Sequence, residues 1–127
     1  MTMLESTMRR ATMVTLDDGT RAVETRVRLQ TAGENVGALL EDFLDVVQAA
    51  EEVDAVNASL MVRYREPTPS GQDLVLRGWI ERIEGRRMAA RITCSAGARL
   101  TADARAVFVA ADPALAPGQF ATTRTGR

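Results

Sequence analysis

Few residues in this chain are suited to acid, base or nucleophilic chemistry, because histidine is absent and Cys94 is the single cysteine. Without histidine there is no plausible zinc-ligand set and no partner to activate Cys94 as a nucleophile. We therefore expect Cys94 to be a small buried apolar residue. The carboxylates remain, and Glu41 and Asp45 share one face of a segment with helical periodicity together with Gln48. On periodicity alone, this face is best interpreted as a solvated helix surface.

Those carboxylates belong to a segment from Thr31 to Glu51 that we predict to be one long amphipathic helix. Its apolar residues recur at steps of three and four: Val36, Leu39, Leu40, Phe43, Leu44, Val47 and Ala50. Thr31 and Glu34 form a capping-box pattern at the helix start, and Gly33 lies in the first turn. The width of the apolar stripe indicates that the rest of the chain packs around this helix.

Strand patterns on both sides of the helix predict one antiparallel sheet. Before it, residues 13–16 and 22–29 flank an Asp-Asp-Gly turn, which predicts a hairpin. After it, strands are predicted at residues 56–64, 74–83, 88–94 and 100–109, separated by turns containing proline or glycine. The expected fold class is α+β: a hairpin, a buried helix and four consecutive antiparallel strands, arranged as a curved sheet wrapped around the helix.

The composition predicts a single soluble domain over residues 1–127, with a core at about 13–110 and flexible ends at 1–12 and 113–127. The 16 basic residues, all arginine, nearly cancel the 17 acidic ones, so no nucleic-acid partner is expected. No apolar run approaches the roughly 20 residues of a membrane span, so no membrane partner is expected either. We expect the protein in a reducing cytoplasm.

Three stretches resemble a known family. They are residues 57–71, which read NASLMVRYREPTPSG, Val75 to Arg87, which ends in Gly-Arg-Arg, and residues 102–109. Together with the order of strand, long helix and antiparallel strands, they resemble the hotdog-fold acyl-CoA thioesterases of the phenylacetate-degradation type over roughly residues 22–110. The resemblance implies a hotdog fold, an acyl-CoA substrate, a homodimer or dimer of dimers, and no separate cofactor, because coenzyme A is part of the substrate. The cone-shaped fold of the nuclear-transport-factor type is the alternative, but it normally has more helix before the sheet.

The resemblance also implies a catalytic site. The family carries a His-Gly-Gly motif followed, after six intervening residues, by an Asp or Glu on the central helix. In that register Ala32-Gly33-Glu34 occupies the motif and Glu41 the acidic position. The resemblance then implies that Gly33 offers a backbone amide to the thioester carbonyl, that Glu41 is the general base or nucleophile, and that Asn57 on the following strand assists.

Two alternatives to this assignment remain open. Ala32 and Glu34 replace the histidine and the second glycine of the family motif, which favours a catalytically inactive hotdog protein that binds acyl-CoA or only dimerises. A shift of one residue would instead match Asp42 to the acidic position. We prefer Glu41, since Asp42 falls at the edge of the apolar stripe.

Arginines near a predicted turn complete the implied site. Arg82, Arg86 and Arg87 surround Gly85, and Arg63 lies on the preceding strand. By analogy with the family, we expect this group to bind the phosphates of coenzyme A through charge-assisted hydrogen bonds, with ordinary surface solvation as the alternative.

Three further side chains have simpler predicted roles. Trp79 and Tyr64 either line an acyl pocket or, more simply, pack on the sheet. Asp103 is expected on the outer face of its strand.

Overall fold

The computed structural model describes residues 11–30, 36–51 and 55–110. These residues form one helix and a six-stranded antiparallel sheet. The elements are β1 (Thr12–Thr15), β2 (Arg21–Arg28), α1 (Val36–Ala50), β3 (Ala55–Tyr64), β4 (Asp73–Glu84), β5 (Arg87–Ala96) and β6 (Arg99–Ala110). Every predicted strand is present within a few residues of its expected bounds. The predicted flexible ends, 1–12 and 113–127, lie outside the described residues except for Ala11 and Thr12, and Thr12 begins β1.

The apolar stripe of α1 is buried as predicted over most of its length. Its fully buried side chains are Leu39, Leu40, Phe43, Leu44 and Val47. Val36 is half-buried, and Ala50 is exposed, contrary to the prediction, because the helix ends one turn beyond Val47. The predicted helix start, with its capping box at Thr31 and Glu34, lies outside the described residues.

The predicted hairpin is confirmed. β1 pairs antiparallel with β2, with Met13 opposite Val23. The turn between them is closed by the Gly19 amide, which donates to the Leu16 carbonyl oxygen over 2.9 Å, and Gly19 has a positive φ of 88° that favours glycine. The Asp-Gly signal in the sequence therefore indicated the turn correctly.

The strand order corrects one expectation. The sheet runs β1-β2-β4-β5-β6-β3, so β3 pairs with β6 and β4 pairs with β2. Four consecutive neighbouring strands after the helix were expected, but only β4, β5 and β6 form such a meander. The helix carries the chain to the far edge of the sheet, and the loop after β3 returns it across the strand ends. Backbone amides of Arg65 and Glu66 donate to the Thr101 carbonyl oxygen along that loop, and the Gly71 amide donates to that of Leu29.

The helix packs on one side of the sheet, which we call the helix-facing side. Its fully buried strand residues include Leu74, Leu76, Met88, Ile92, Ala102 and Phe108. The helix comes nearest at Gly78, where an added Cβ would lie 2.5 Å from Val47 Cγ2 and 3.2 Å from Phe43 Cε2. A residue without a side chain is thus required where the helix crosses the middle of β4.

The opposite side, which we call the helix-distal side, carries the alternate residues of the same strands. On β4 and β5 these include Val75, Arg77, Trp79, Arg87, Ala89 and Arg91. No helix of the described residues is long and apolar enough to cross a membrane.

Candidate functional site

Glu41 lies on the exposed side of α1, away from the buried stripe. Asp42 and Asp45 are exposed beside it. Gln48, one turn further on, is half-buried, and its Nε2 donates a 2.6 Å hydrogen bond to the carbonyl oxygen of Ala55 at the start of β3. The polar face predicted for the helix is therefore confirmed. Gly33, the predicted source of the oxyanion amide, lies outside the described residues.

Asn57 lies on the strand that follows the helix, as expected. In the register it pairs with Phe108 on β6, and the register shifts between Asn57 and Ser59. Simple alternation would place Asn57 on the same face as Ser59 and Met61, but a shift of this kind interrupts the two-residue period. The side chain of Asn57 lies outside the described part of the chain.

The three turn arginines have different surroundings. Gly85 forms the β4–β5 turn with a positive φ of 59°. Arg82 Nε forms a 2.9 Å ion pair with Glu84 Oε1, whereas Arg86 Nη2 donates to the Ala110 carbonyl oxygen over 3.3 Å. Arg87 is exposed. All three arginines are therefore exposed, and Arg86 differs in having a structural contact with the end of β6.

A hollow of about 240 Å³ lies between Arg82 and Arg87. Glu84, Met88, Ala89 and Val107 complete its lining. Ala89 pairs with Arg82 on one side and with Val107 on the other, and it alternates with the buried Met88 and Ala90. The hollow is therefore on the helix-distal side of the sheet.

Arg63 does not join this group. It is exposed on β3 and pairs in the register with Asp103, whereas the hollow is at the level of Val107. These two β6 positions are four residues apart, roughly 13 Å along the strand. The structure places Arg63 on a separate part of the surface.

Glu41 and the arginine turn are also far apart within one chain. Phe43 and Val47 of α1 lie over Gly78, and Gly85 follows seven residues later, roughly 23 Å along the strand. The helix runs toward the turn, because Gln48 contacts Ala55, which pairs with Ala110 beside Arg86. Glu41 lies in the half of the helix remote from the turn.

A buried ion network on the helix-distal side was not expected from the sequence. Asp103 is only 5% exposed, and its two carboxylate oxygens accept from Arg65 Nε at 3.2 Å and from Arg91 Nη2 at 3.3 Å. Burial alone would raise the pKa of Asp103, but the hydrogen bonds and charges of the two arginines outweigh it and hold that pKa below its ordinary value of 3.8. Asp103 lies on the outer face of its strand, as expected, and its carboxylate there is buried and paired with both arginines. Its partners are 38 and 12 residues away in sequence, so no local pattern reveals them.

Tyr64, Trp79 and Cys94 differ in how far they are buried. Tyr64 is 63% exposed on β3, and Trp79 is half-buried on the helix-distal side, opposite Arg91. Packing on the sheet thus accounts for Trp79. Cys94 is fully buried, as predicted; its burial raises the pKa of the thiol, and a hydrogen bond from Thr101 lowers it by less. Among the residues that the structure describes, no group of His, Cys, Asp or Glu could hold a metal ion.

Comparison with solved structures identifies the fold. A thioesterase superfamily protein has a TM-score of 0.64 at 25% sequence identity over 78% of this chain, and the match spans 55% of that protein. This chain thus covers about half the length of that relative. A Streptococcus mutans protein bound to acetyl-CoA has a TM-score of 0.63 at 14% identity, with 79% of this chain and 87% of the other covered. A hypothetical thioesterase of Streptococcus pneumoniae with coenzyme A has a TM-score of 0.64 at 12% identity, with 80% and 89% covered.

No family model matches the sequence, and no curated protein matches it. The structural matches nonetheless agree with one another in fold. The predicted resemblance to the hotdog-fold thioesterase superfamily is confirmed, and the α+β hotdog architecture with it.

Proposed function

We propose, from this hotdog fold, that the chain is an acyl-CoA thioesterase, a hydrolase that works as a cytoplasmic homodimer or dimer of dimers. The observation that carries the proposal is the structural similarity to proteins described as thioesterases, one of which was solved with coenzyme A, and to a Streptococcus mutans protein solved with acetyl-CoA. Fold alone does not define chemistry, so the proposal also depends on the residues that the helix and the turn present.

In the proposed reaction Glu41 acts as general base. It takes a proton from a water molecule while the water oxygen bonds to the thioester carbonyl carbon. The backbone amide of Gly33 stabilises the oxyanion, and Asn57 orients the water. The carbon–sulfur bond then breaks, and the proton passes from Glu41 to the departing thiolate, giving a carboxylic acid and coenzyme A. As a nucleophile, Glu41 would attack the carbonyl carbon and displace the coenzyme A thiolate by cleavage of the carbon–sulfur bond, and water would then hydrolyse the resulting anhydride to the carboxylic acid and free Glu41.

A second copy of the chain is part of the proposal, because Glu41 is exposed in the single chain. Three large apolar side chains remain exposed on β3: Val56 at 60%, Met61 at 74% and Tyr64 at 63%. Over its ten residues this edge strand carries one charge, Arg63, although edge strands of monomeric proteins are usually protected by charge. These features support pairing of β3 with β3 of a second copy, which would extend the sheet and shelter the helix face.

The nucleotide end of the substrate is assigned to the β4–β5 turn. Arg82 and Arg87 supply guanidinium groups toward solvent, and Gly85 sets their spacing. Arg86 and Arg63 were assigned to the same role. Since Arg86 contacts Ala110 and Arg63 lies on another part of the surface, we expect them to contribute less.

Hydrolysis of a panel of aliphatic and aromatic acyl-CoAs tests the enzyme. Glu41→Gln and Glu41→Ala are expected to lower kcat by about 100-fold or more, the typical contribution of a general base. Asp45→Asn is the matched control, an exposed carboxylate one turn along the same helix face, and should leave kcat within about twofold. If Asp42→Asn abolishes turnover and Glu41→Gln does not, the register shifted by one residue is correct and Glu41 is not the base.

The second candidate function is a hotdog protein that binds acyl-CoA, or only dimerises, without catalysis. It is favoured by Ala32 and Glu34, which replace two residues of the family motif. A negative charge from Glu34 near the thioester carbonyl would oppose oxyanion formation. Turnover of no acyl-CoA by a dimeric wild-type protein would exclude the thioesterase and leave this function.

Sedimentation of two charged variants tests the assembly. Met61→Glu places a charge on β3 and is expected to give monomers. Met13→Glu is the matched control on the other edge strand, β1, where Met13 is 38% exposed, and should remain a dimer. Monomeric wild-type protein, or dimers of both variants, would contradict pairing through β3.

A further inference from the structure

We propose that Glu84 sets the affinity of the arginine hollow by competing with the phosphate groups of the ligand for Arg82. The inference rests on the proposed binding of acyl-CoA and adds to it a residue that opposes binding. It follows from the arrangement of the hollow between Arg82 and Arg87, which also has Glu84 in its lining.

The register explains why a hollow exists here. Ala89, in the middle of three neighbouring strands, pairs with Arg82 of β4 and Val107 of β6, and one row further Arg87 pairs with Glu84. Arg82 lies beside the short Ala89 on β4, and Arg87 lies two residues before Ala89 on β5, so both long side chains border the space above Ala89. The cavity of about 240 Å³ is smaller than a typical pocket for a whole ligand, so it suits the charged end of a larger molecule.

The charges favour an anion with more than one negative charge. Arg82 and Arg87 supply two guanidinium groups, and Glu84 neutralises one of them through its 2.9 Å ion pair with Arg82. Both side chains of this pair are highly exposed, at 69% and 67%, so water competes with it and it breaks at little cost. A phosphate group can engage an arginine through two parallel hydrogen bonds and displaces a single carboxylate contact.

The distribution of charge over the rest of the surface also favours binding of an anion at this hollow. Every arginine of the described residues lies in the sheet or its connecting loops, and none lies on α1, which carries Glu41, Asp42 and Asp45. A larger hollow of about 650 Å³ beside the β1–β2 turn is lined by Asp17, Asp18 and Glu24, and its Arg77 is already paired with Glu24 at 2.7 Å. Phosphate is repelled from that hollow and attracted to the smaller one.

Calorimetric titration with adenosine 3′,5′-bisphosphate, which carries phosphate groups of coenzyme A but no thioester, tests the inference. Arg87→Ala and Arg82→Ala are expected to weaken binding about tenfold each. Glu84→Gln is expected to tighten it about threefold, because Arg82 is then free for the ligand. In turnover experiments the same changes should appear in KM, which rises for the arginine variants and falls for Glu84→Gln.

Glu66→Gln is the control for removal of one negative charge. Glu66 is an exposed carboxylate whose 3.5 Å ion pair is with Arg99, away from the hollow. It should leave the bisphosphate affinity within about twofold, which separates local competition from a change of net charge.

The outcomes distinguish this inference from the proposed function. Wild-type or weaker affinity in Glu84→Gln, or wild-type affinity in both Arg82→Ala and Arg87→Ala, overturns the inference even if acyl-CoA is hydrolysed. Bisphosphate binding that follows the expected order, without turnover of any acyl-CoA, supports the inference and overturns the hydrolase. If Glu66→Gln tightens bisphosphate binding as much as Glu84→Gln does, the change in net charge explains the effect, and the proposed competition is overturned.

Discussion

The helix-facing and helix-distal sides of the sheet are built from alternate residues of the same strands, yet different interactions hold them. On β4, Leu74 and Leu76 are fully buried against the core, whereas Asp73 and Arg77, which flank this pair, are exposed and form ion pairs with β2. Removal of apolar area from water contributes far more per residue than an exposed ion pair does. Stability should therefore depend on the first side, which leaves the second free to vary its charges.

Two groups of charged residues on the helix-distal side differ in how firmly they are paired. The helix-distal side combines an ion network around the buried carboxylate of Asp103 with the open hollow between Arg82 and Arg87. In the network both carboxylate oxygens of Asp103 have arginine partners. In the hollow, Arg82 and Glu84 form one exposed ion pair. The network is suited to fixing strands together, and the hollow is suited to exchanging partners with a ligand.

The two sides of the sheet should differ most in how much stability is lost when neighbouring side chains of β4 are truncated to alanine. Leu76→Ala should lower the free energy of unfolding by about 3 kcal/mol, through lost burial and the cavity left behind. Val75→Ala, its half-buried neighbour on the helix-distal side, should cost less than about 1 kcal/mol. Chemical denaturation measures both. Equal costs would mean that the two sides do not differ as their burial indicates.

The contact of the helix with Gly78 gives the next largest effect. Gly78→Ala should destabilise the protein by about 2 kcal/mol, because its Cβ would overlap Val47 Cγ2, although alanine is otherwise better than glycine in a strand. The Val47→Ala background should remove most of this cost. A double-mutant cycle by chemical denaturation checks it, and additive costs, or a more stable single variant, would contradict the close approach.

A pH-dependent effect is expected at Asp103. Because its pKa is lowered in the fold, ionised Asp103 stabilises the protein above the ordinary value of 3.8, and this contribution is lost as the pH falls through the lower folded value. Asp103→Asn should cost about 1 to 2 kcal/mol at neutral pH, and the difference from the wild type should shrink below about pH 4. Unfolding measured between pH 7 and pH 3 tests this. A constant difference across that range would exclude the ion network as its cause.

The smallest effect is expected for the exposed pair between Arg28 and Asp73. Their 2.9 Å contact joins side chains that are 54% and 55% exposed. A double-mutant cycle with Arg28→Ala and Asp73→Ala should give a coupling of about 0.5 kcal/mol or less, decreasing further in high salt. A coupling above about 1.5 kcal/mol would mean that the exposed ion pairs of this side are major contributors to stability.

Local patterns in the sequence were sufficient for most of the fold. The three- and four-residue spacing from Leu39 to Val47 identified the buried stripe of the helix, and Asp-Gly identified the first turn. The position of β3 was missed, because strand pairing is decided by contacts between distant segments, and both a hairpin with β4 and a place beside β6 satisfy the same alternation.

The candidate site was predictable to a lesser degree. Sequence spacing placed Glu41 on the polar side of the helix and grouped Arg82, Arg86 and Arg87 near a glycine turn, as the structure has them. It did not reveal that Arg86 donates a hydrogen bond to Ala110 or that Glu84 forms an ion pair with Arg82. Those contacts depend on rotamers and on which strands are neighbours, which residue types alone do not specify.

The sequence by itself determined the elements, the buried side of each and the absence of histidine and disulfide chemistry, since these depend on residue type and short-range period. Only the tertiary structure decided that β3 is an edge strand and that Asp103 is buried beneath Arg65 and Arg91. It also placed Glu41 in the half of the helix remote from the arginine turn. The physical reason is that distance in the fold is set by register and packing between segments far apart in the chain, and no local pattern encodes it.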